Sequence, residues 1–473
     1  MGANFIKRGV TIYGFRRLVS AGRLNWEECI SKIVNLGITG VELLGQLYFR
    51  ECPDINKEDV ASWKRMMWRY GTKTVAHDFF IDKTLFRGRE LTLREGLKVI
   101  ENHVKFASAI DCPIIRAGGT FNSELFKMAA PICEDYGVKL GVEIHAGTSS
   151  WVLPSIQELI NVIKQINSPY VGIIPDMSMF QTRVLDYHNC VRRARGFNIN
   201  EQTISDLKKA FEQETLTDYR ALCLKLADES NDENFRYAMR SFSIIEKHDP
   251  KELAELMSLV IHVHGKYWEM DENNEEPSIN YKDILPIIVN SGYDGYISAE
   301  YEGILNPDQD AFEPERRYQK MLDKYLGGSY PSYPEPEVKP PVEDIKCLSS
   351  KGFKNRKDKD GKISGVEIYA RCFYYRGVPL CLIEDAQVTI DGTIYKTDRL
   401  SFEIDGEVFA FAQMATVTQF YWNFGHFATI IVDLPGGIDE NCSHTVNLKY
   451  SVRTYYLPYN YPDEATLDLK AIK

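Results

Sequence analysis

Ten cysteines are present in the 473 residues, but none forms a C-x-x-C pair. They are scattered, and several, such as Cys223 in "ALCLKL", lie in apolar helical or strand patterns. This excludes a zinc-ribbon or disulfide framework and predicts reduced, packed thiols in a cytoplasmic protein. Long apolar runs are missing too. None approaches the ~18 residues that a membrane span needs. The opening "MGANFIKRGVTIYGF" has no apolar leader core and no cleavage site, and Gly2 lacks the following Ser or Thr of an acylation signal. Basic residues are in deficit: 56 Lys and Arg against 67 Asp and Glu give a net charge of −11. Without a basic run, a nucleic-acid or anionic-membrane partner is disfavoured. Also missing is a glycine-rich phosphate turn after the first apolar run. "GFRRLVSAG" is not G-x-G-x-x-G, which counts against an open doubly wound sheet.

What is present is globular: 44% hydrophobic, 26% charged and 12% aromatic residues, in a chain too long for one ordinary core. From residue 9 to about 326, short apolar runs alternate with longer helical patterns. The runs are "GVTIYGF" (9–15), "GITGVELLG" (37–45), "KTVAHDFF" (73–80), "PIIRAGG" (113–119), "KLGVEIHA" (139–146), "YVGIIPDMS" (170–178), "VIHVHGK" (260–266) and "GYISAEY" (295–301). Continuous rather than alternating apolar character predicts parallel strands buried on both faces. "NWEECISKIVNLG", "KEDVASWKRMMWRYG" and "SIQELINVIKQIN" carry apolar stripes at helical spacing, and the first two close on a Gly stop. Eight such units predict a (β/α)8 barrel over residues 1–328. The stretch at about 180–258, between the sixth and seventh strands, is helical in pattern and reads as an insertion, a lid or substrate wall.

In a barrel the strand C-termini form the active-site mouth. The last inward positions are Glu42, His77, Arg116, Glu143 with His145, Asp176, His262 with His264, and Glu300. A barrel core would hold aliphatic residues there, and a buried charge needs a partner. Converging carboxylates and imidazoles can share a divalent cation. This donor set suits Mn²⁺, Mg²⁺, Co²⁺ or Zn²⁺, and the absence of thiolate ligands argues against structural zinc. His262 and His264, two apart in a strand, point to one side of the sheet. His145, beside this set, suits a general base. Lys266 suits a catalytic cation that polarises a substrate oxygen. Arg116 suits a substrate anchor or a salt-bridge partner of Glu143, and His77 and Asp78 of "AHDFF" are weaker candidates.

At these residues the chain resembles the xylose isomerase-like barrels. Glu143, Asp176, a histidine of "H-x-H-G-K" and Glu300 match that superfamily's ligand order. The resemblance implies a metal site of Glu143, Asp176, His264 and Glu300, with Mn²⁺ as the first expectation. It also implies His262 in a supporting or catalytic place one pleat deeper, and Glu42, His77 and Arg116 near the substrate.

"GGSYPSYPEPEVKPPVED" is rich in Pro, Gly and Ser and predicts a linker over 329–345. Beyond it, "VEIYARCFYY", "AQVTIDGTIYKT", "HFATIIVDL" and "HTVNLKYSVRTYYL" alternate apolar and polar residues around turns such as "DG" and "PGG". An all-β sandwich over 346–473 is expected. "FYYRGVPLCLIEDAQVTIDG" (373–392) and "IIVDLPGGIDENCSHTVNL" (430–448) resemble the small β subunit of bacterial C-glycoside deglycosidases, whose α subunit is a metal-binding barrel of the same type. That resemblance implies a lyase that cleaves the bond between C1 of a 3-oxo-glucoside and its aglycone, attached through carbon or oxygen. Deprotonation at C2 would be followed by β-elimination. A sugar isomerase, 3-epimerase or dehydratase is the alternative, and a non-catalytic sugar-binding protein the third reading. A small-molecule glycoside is the expected partner, and a homo-oligomer the expected assembly.

Overall fold

The computed structural model describes residues 6–118, 122–147, 149–303, 311–327, 346–372, 374–455 and 460–472. The proline-rich linker expected at 329–345 lies outside the described residues. The first part is built on eight parallel strands. These are β1 (Lys7–Thr11), β2 (Gly40–Leu44), β3 (Lys73–Phe80), β4 (Ile114–Gly118), β5 (Lys139–Ile144), β6 (Val171–Pro175), β7 (Val263–Tyr267) and β8 (Tyr296–Tyr301). They hydrogen-bond in the order β6-β5-β4-β3-β2-β1-β8-β7. Closure falls between β6 and β7 through two isolated parallel bridges, Ile173 to Val260 and Asp176 to His264. One of these two bridges joins a pair of residues that the sequence marks as site candidates, Asp176 and His264.

Two strands are shorter than their apolar runs. The chain leaves β1 after Thr11 in a 3₁₀ turn, Ile12–Phe15, which lets Phe15 stack on Phe312 at 4.4 Å. Before β7 the chain makes another 3₁₀ turn at Met257–Leu259, so regular pairing starts at Val263 and His262 precedes it. Gly265 has a steric reason. A Cβ there would overlap the Tyr318 hydroxyl of the helix Phe312–Leu326. That close approach explains the glycine of "H-x-H-G-K".

The helices begin and end on local signals. Asn25 and Glu28 form a reciprocal capping box on Trp26–Val34. Lys57–Tyr70 starts on the Asn56 side chain and stops at Gly71, with φ of 64°. Pro154–Ile166 stops at Asn167, also left-handed. Between β6 and β7 stand the helices Asn189–Gly196, Glu201–Gln213, Leu216–Glu229 and Glu233–Phe242. They hold a small core of their own, with Val191, Phe211, Tyr219 and Met239 buried. The segment that follows them meets the loop after β5: Gly147 N–H donates to Glu246 at 3.4 Å, and the Trp151 indole to His248 at 3.2 Å.

The C-terminal part is built on two antiparallel sheets, of five and four strands, that share one core, with a two-stranded ribbon of Val378–Pro379 and Tyr421–Trp422 beside them. Alternation is plain in Ser443–Val452, where nearly every second side chain is buried. Val366, Phe402 and Ile430 of one sheet pack with Val388, Leu448 and Val446 of the other. This sandwich sits on the barrel mouth. Arg376 is buried and ion-paired with Asp82 at 2.5 Å, just past β3. The Tyr455 hydroxyl donates to the carbonyl of Gly118, at the end of β4, at 2.8 Å.

Candidate active site

The strand ends bring charged side chains together where they are buried. Glu42 of β2, Arg116 of β4, Glu143 of β5, Asp176 after β6, His264 and Lys266 of β7 and Glu300 of β8 are all buried. One ligand atom each from Glu143, Asp176, His264 and Glu300 lies within 4.8 Å of the others. His264 is the hub. Its Nδ1 faces Glu143 at 2.8 Å and Glu300 at 3.4 Å, and its Nε2 faces Glu42 at 2.7 Å. Glu42 in turn reaches His262 Nε2 at 2.9 Å, which also meets the Ser298 hydroxyl at 2.9 Å. His262 is thus one layer below His264, held by two partners, and its contact with the mouth runs through Glu42.

The cations are placed with equal economy. Lys266 Nζ stands 2.6 Å from Glu300, 3.1 Å from Asp176 and 3.1 Å from Glu302. Arg116 approaches Asp78 and Glu143 at 3.3 Å each and Glu300 at 3.8 Å. Burial opposes ionisation of Glu143, yet Arg116 and His264 overcome it and hold its carboxyl down at about 2. Burial opposes Glu300 likewise, and Lys266 and His264 keep it well below the usual range. Asp176 is the exception. Burial lifts it, helped by the neighbouring Glu300 and Glu143, and Lys266 and His145 offset this only in part. Desolvation works against Lys266, but Asp176 and Glu300 hold its ammonium charged, well above its ordinary value.

A divalent cation fits this donor set on an observation independent of any relative. Asp176 Oδ2 and Glu300 Oε2 are both buried, and the partners they meet are Lys266 and, for Glu300, also the His264 ring. Three carboxylates and one imidazole nitrogen form an oxygen-rich set, suited to a hard or borderline divalent ion. Glu42 on the far nitrogen of His264 fixes the ring and leaves Nδ1 turned to the carboxylates.

His145 follows β5 directly and is half-buried. Its charge bears on both Glu143 and Asp176. A carbonyl can only accept, so the 2.6 Å contact from Nδ1 to Ala146 O puts the neutral ring's proton on Nδ1. Nε2 is then the basic nitrogen.

His77 is not brought into the cluster. Its Nδ1 donates to Leu43 O at 3.1 Å and its Nε2 accepts from His103 at 2.9 Å, with Cys52 nearby. Burial pushes His77 down to about 4, so it is a neutral core imidazole. Asp78 does join, through Arg116. Two participants escaped the sequence reading. Tyr13, just beyond β1, donates its hydroxyl to Glu302 at 2.7 Å. Glu302 follows Glu300 by the two-residue strand period, a signal that was there to be read.

A family model described as a xylose isomerase-like TIM barrel matches residues 30–324. The chain belongs to that family. A second model, the C-glycoside deglycosidase beta subunit, matches residues 344–456. This xylose isomerase-like barrel therefore carries a β-subunit-type domain on the same chain. The 3'-dehydrocarminate deglycosidase alpha subunit of a Microbacterium species is 25% identical over 340 residues, covering 67% of this chain and 95% of its own. The C-glycoside deglycosidase alpha subunit of Arthrobacter globiformis is 27% identical over 333 residues, 66% of this chain and 89% of its own. The 3'-dehydrocarminate deglycosidase beta subunit of a Microbacterium species is 35% identical over 95 residues, 20% of this chain and 70% of its own. These relatives are separate alpha and beta subunits, which this chain unites. Among the described residues no helix is long and apolar enough to cross a membrane.

Proposed function

We propose that the protein is a metal-dependent lyase that releases the aglycone from C1 of 3-oxo-glucosides, joined through carbon or oxygen. The observation that carries this reading is the convergence of Glu143, Asp176, His264 and Glu300 on one point, one ligand atom of each lying within 4.8 Å of the others. These four residues would hold the cation, Mn²⁺ being the first candidate. Such a cation, when bound, supplies Lewis-acid polarisation of substrate oxygens.

The chain's own groups account for the rest. A ketone at C3 acidifies the C2 proton. His145 takes that proton at Nε2, since its Nδ1 is committed to the Ala146 carbonyl. The electron pair of the broken C2–H bond moves toward C3, and the resulting negative charge sits in a field set by Lys266 and Arg116. The pair then returns to form the C1–C2 double bond as the C1–aglycone bond breaks. The aglycone leaves with a proton, and an unsaturated 3-oxo sugar remains. Protonated His145 and the Lys266 ammonium are the donors at hand for that proton. Glu42 and His262 act at one remove, by orienting His264.

The test uses the Mn²⁺-loaded protein in D₂O with matched 3-oxo-C- and 3-oxo-O-glucosides, followed by mass spectrometry. Free aglycone together with an unsaturated anhydro sugar supports the lyase. Deuterium entering the sugar without aglycone release would replace it with an isomerase or epimerase.

A further inference from the structure

The barrel and the sandwich meet along a seam that borders a second space, an open cleft whose lining shares no residue with the carboxylate cluster. Its volume is 470 Å³, and its walls include Arg16, Trp26, Arg371, Phe424, His426 and Phe427. That volume falls in the range of about 300–1,000 Å³ usual for small-molecule sites. Among the described residues, none of its walls carries a carboxylate. Barrel and sandwich both contribute, and the fit between them is close. A Cβ at Gly425 of the sandwich would stand 3.0 Å from the Ser20 side chain of the barrel.

Arg16 is the unusual member. It is 8% exposed. Among the described residues its guanidinium makes one hydrogen bond, from Nη1 to the Tyr13 carbonyl at 3.0 Å, and its Nε meets no acceptor. Its other neighbours are faces of rings, Tyr13 at 4.9 Å and Phe424 at 5.5 Å. Glu302 bears on its charge but is already engaged by the Tyr13 hydroxyl and Lys266. A buried guanidinium with five donors normally has a carboxylate or phosphate to itself. Arg371 enters from the sandwich side, its guanidinium 4.3 Å over the Phe427 ring and its Nη1 3.3 Å from the Ser20 carbonyl. Two guanidiniums of the wall thus stand among three aromatic rings.

We propose that this cleft binds a small aromatic carboxylate, its anionic head on Arg16 and Arg371 and its ring among Trp26, Phe424 and Phe427. An inorganic anion or an aliphatic acid would meet the guanidiniums and leave the rings uncovered. A neutral aromatic would do the reverse. Because Arg16 and Trp26 belong to the barrel and Arg371 and Phe424 to the sandwich, the ligand also ties the two together. None of the four candidate metal ligands lines this cleft.

The experiment is isothermal titration of the full chain with benzoate, benzamide, acetate and inorganic phosphate, repeated on Arg371→Gln, Arg16→Gln and Asp176→Asn. The expected result is saturable benzoate binding, no binding of benzamide, and acetate and phosphate at least about tenfold weaker. Arg371→Gln should weaken benzoate by a similar factor, while Asp176→Asn leaves it unchanged. Arg16→Gln should abolish it; if that variant does not fold, Arg371→Gln and the benzamide comparison still decide. Absence of saturable benzoate binding up to about 10 mM would overturn the proposal. So would equal binding of benzamide, or loss of benzoate binding in Asp176→Asn but not in Arg371→Gln.

Discussion

The barrel mouth and the sandwich core treat buried charge in opposite ways. The mouth buries Glu42, Arg116, Glu143, Asp176, His264, Lys266 and Glu300 side by side. The sandwich packs Val366, Ile368, Phe402, Ile430, Val388 and Leu448 into an apolar core, and its buried Arg376 is turned to the barrel. Desolvating ions is costly, so a fold keeps such a cluster only where the charges act on one another or on a ligand. An apolar sandwich core explains a scaffold and nothing more. The difference separates the part of the chain that gathers buried charge from the part that roofs it.

The comparison can be broken at the mouth first. Dialysis against a chelator should abolish aglycone release, and added Mn²⁺ should restore it. It should also lower the melting temperature, because a bound ion at a hundred times its Kd contributes about 2.7 kcal/mol. Activity that survives exhaustive chelation, with metal content checked by mass spectrometry, would defeat the metal assignment. Next, His145→Gln should cut kcat by roughly 10²–10⁴ at unchanged metal content, since it removes the base and no ligand. If metal is lost as well, His145 belongs to the site's support.

At the junction, Arg376→Met strands Asp82. Denaturant unfolding should show a loss of about 3–5 kcal/mol, as for other broken buried ion pairs. A negligible change would mean that the sandwich rests on the barrel without this pair. Glu42→Gln is a finer cut. It leaves all four candidate ligands in place but removes the carboxylate that orients His264, so metal affinity measured by titration should fall about 10- to 100-fold. The smallest effect is expected far from the mouth. Asn25→Ala deletes one half of a capping box and should cost about 1 kcal/mol in thermal unfolding, with kcat and metal affinity unchanged.

Much of this organisation is legible along the chain. Unbroken apolar runs ending in Glu, Arg, Asp and His announce parallel strands and a polar mouth, because a strand buried on both faces has no other place for charge. The capping signals at Asn25, Asn56 and Gly71 are equally local. The strand bounds at Thr11 and Val263 are less so. Phe15 leaves β1 for a partner about three hundred residues away, and no nearby residue records that. His77 illustrates the same difficulty. Its alternation matches the site residues, but its partner His103 comes from the helix Leu93–Ala109, and that pairing makes it core.

What the sequence determined by itself is therefore the period: eight apolar runs, the carboxylates and imidazoles at their ends, and the change to alternation after the proline-rich stretch. These follow from backbone geometry, which acts over a few residues. The tertiary structure alone decided which nitrogen of His264 turns to Glu143 and which to Glu42, and that Lys266 lies between Asp176 and Glu300. It also decided that Arg16 is buried beside Phe424 of the sandwich, with no acid of its own among the described residues. Those are matters of residues far apart in the chain meeting where water is excluded, and there the strength of a charge depends on what else has been buried beside it.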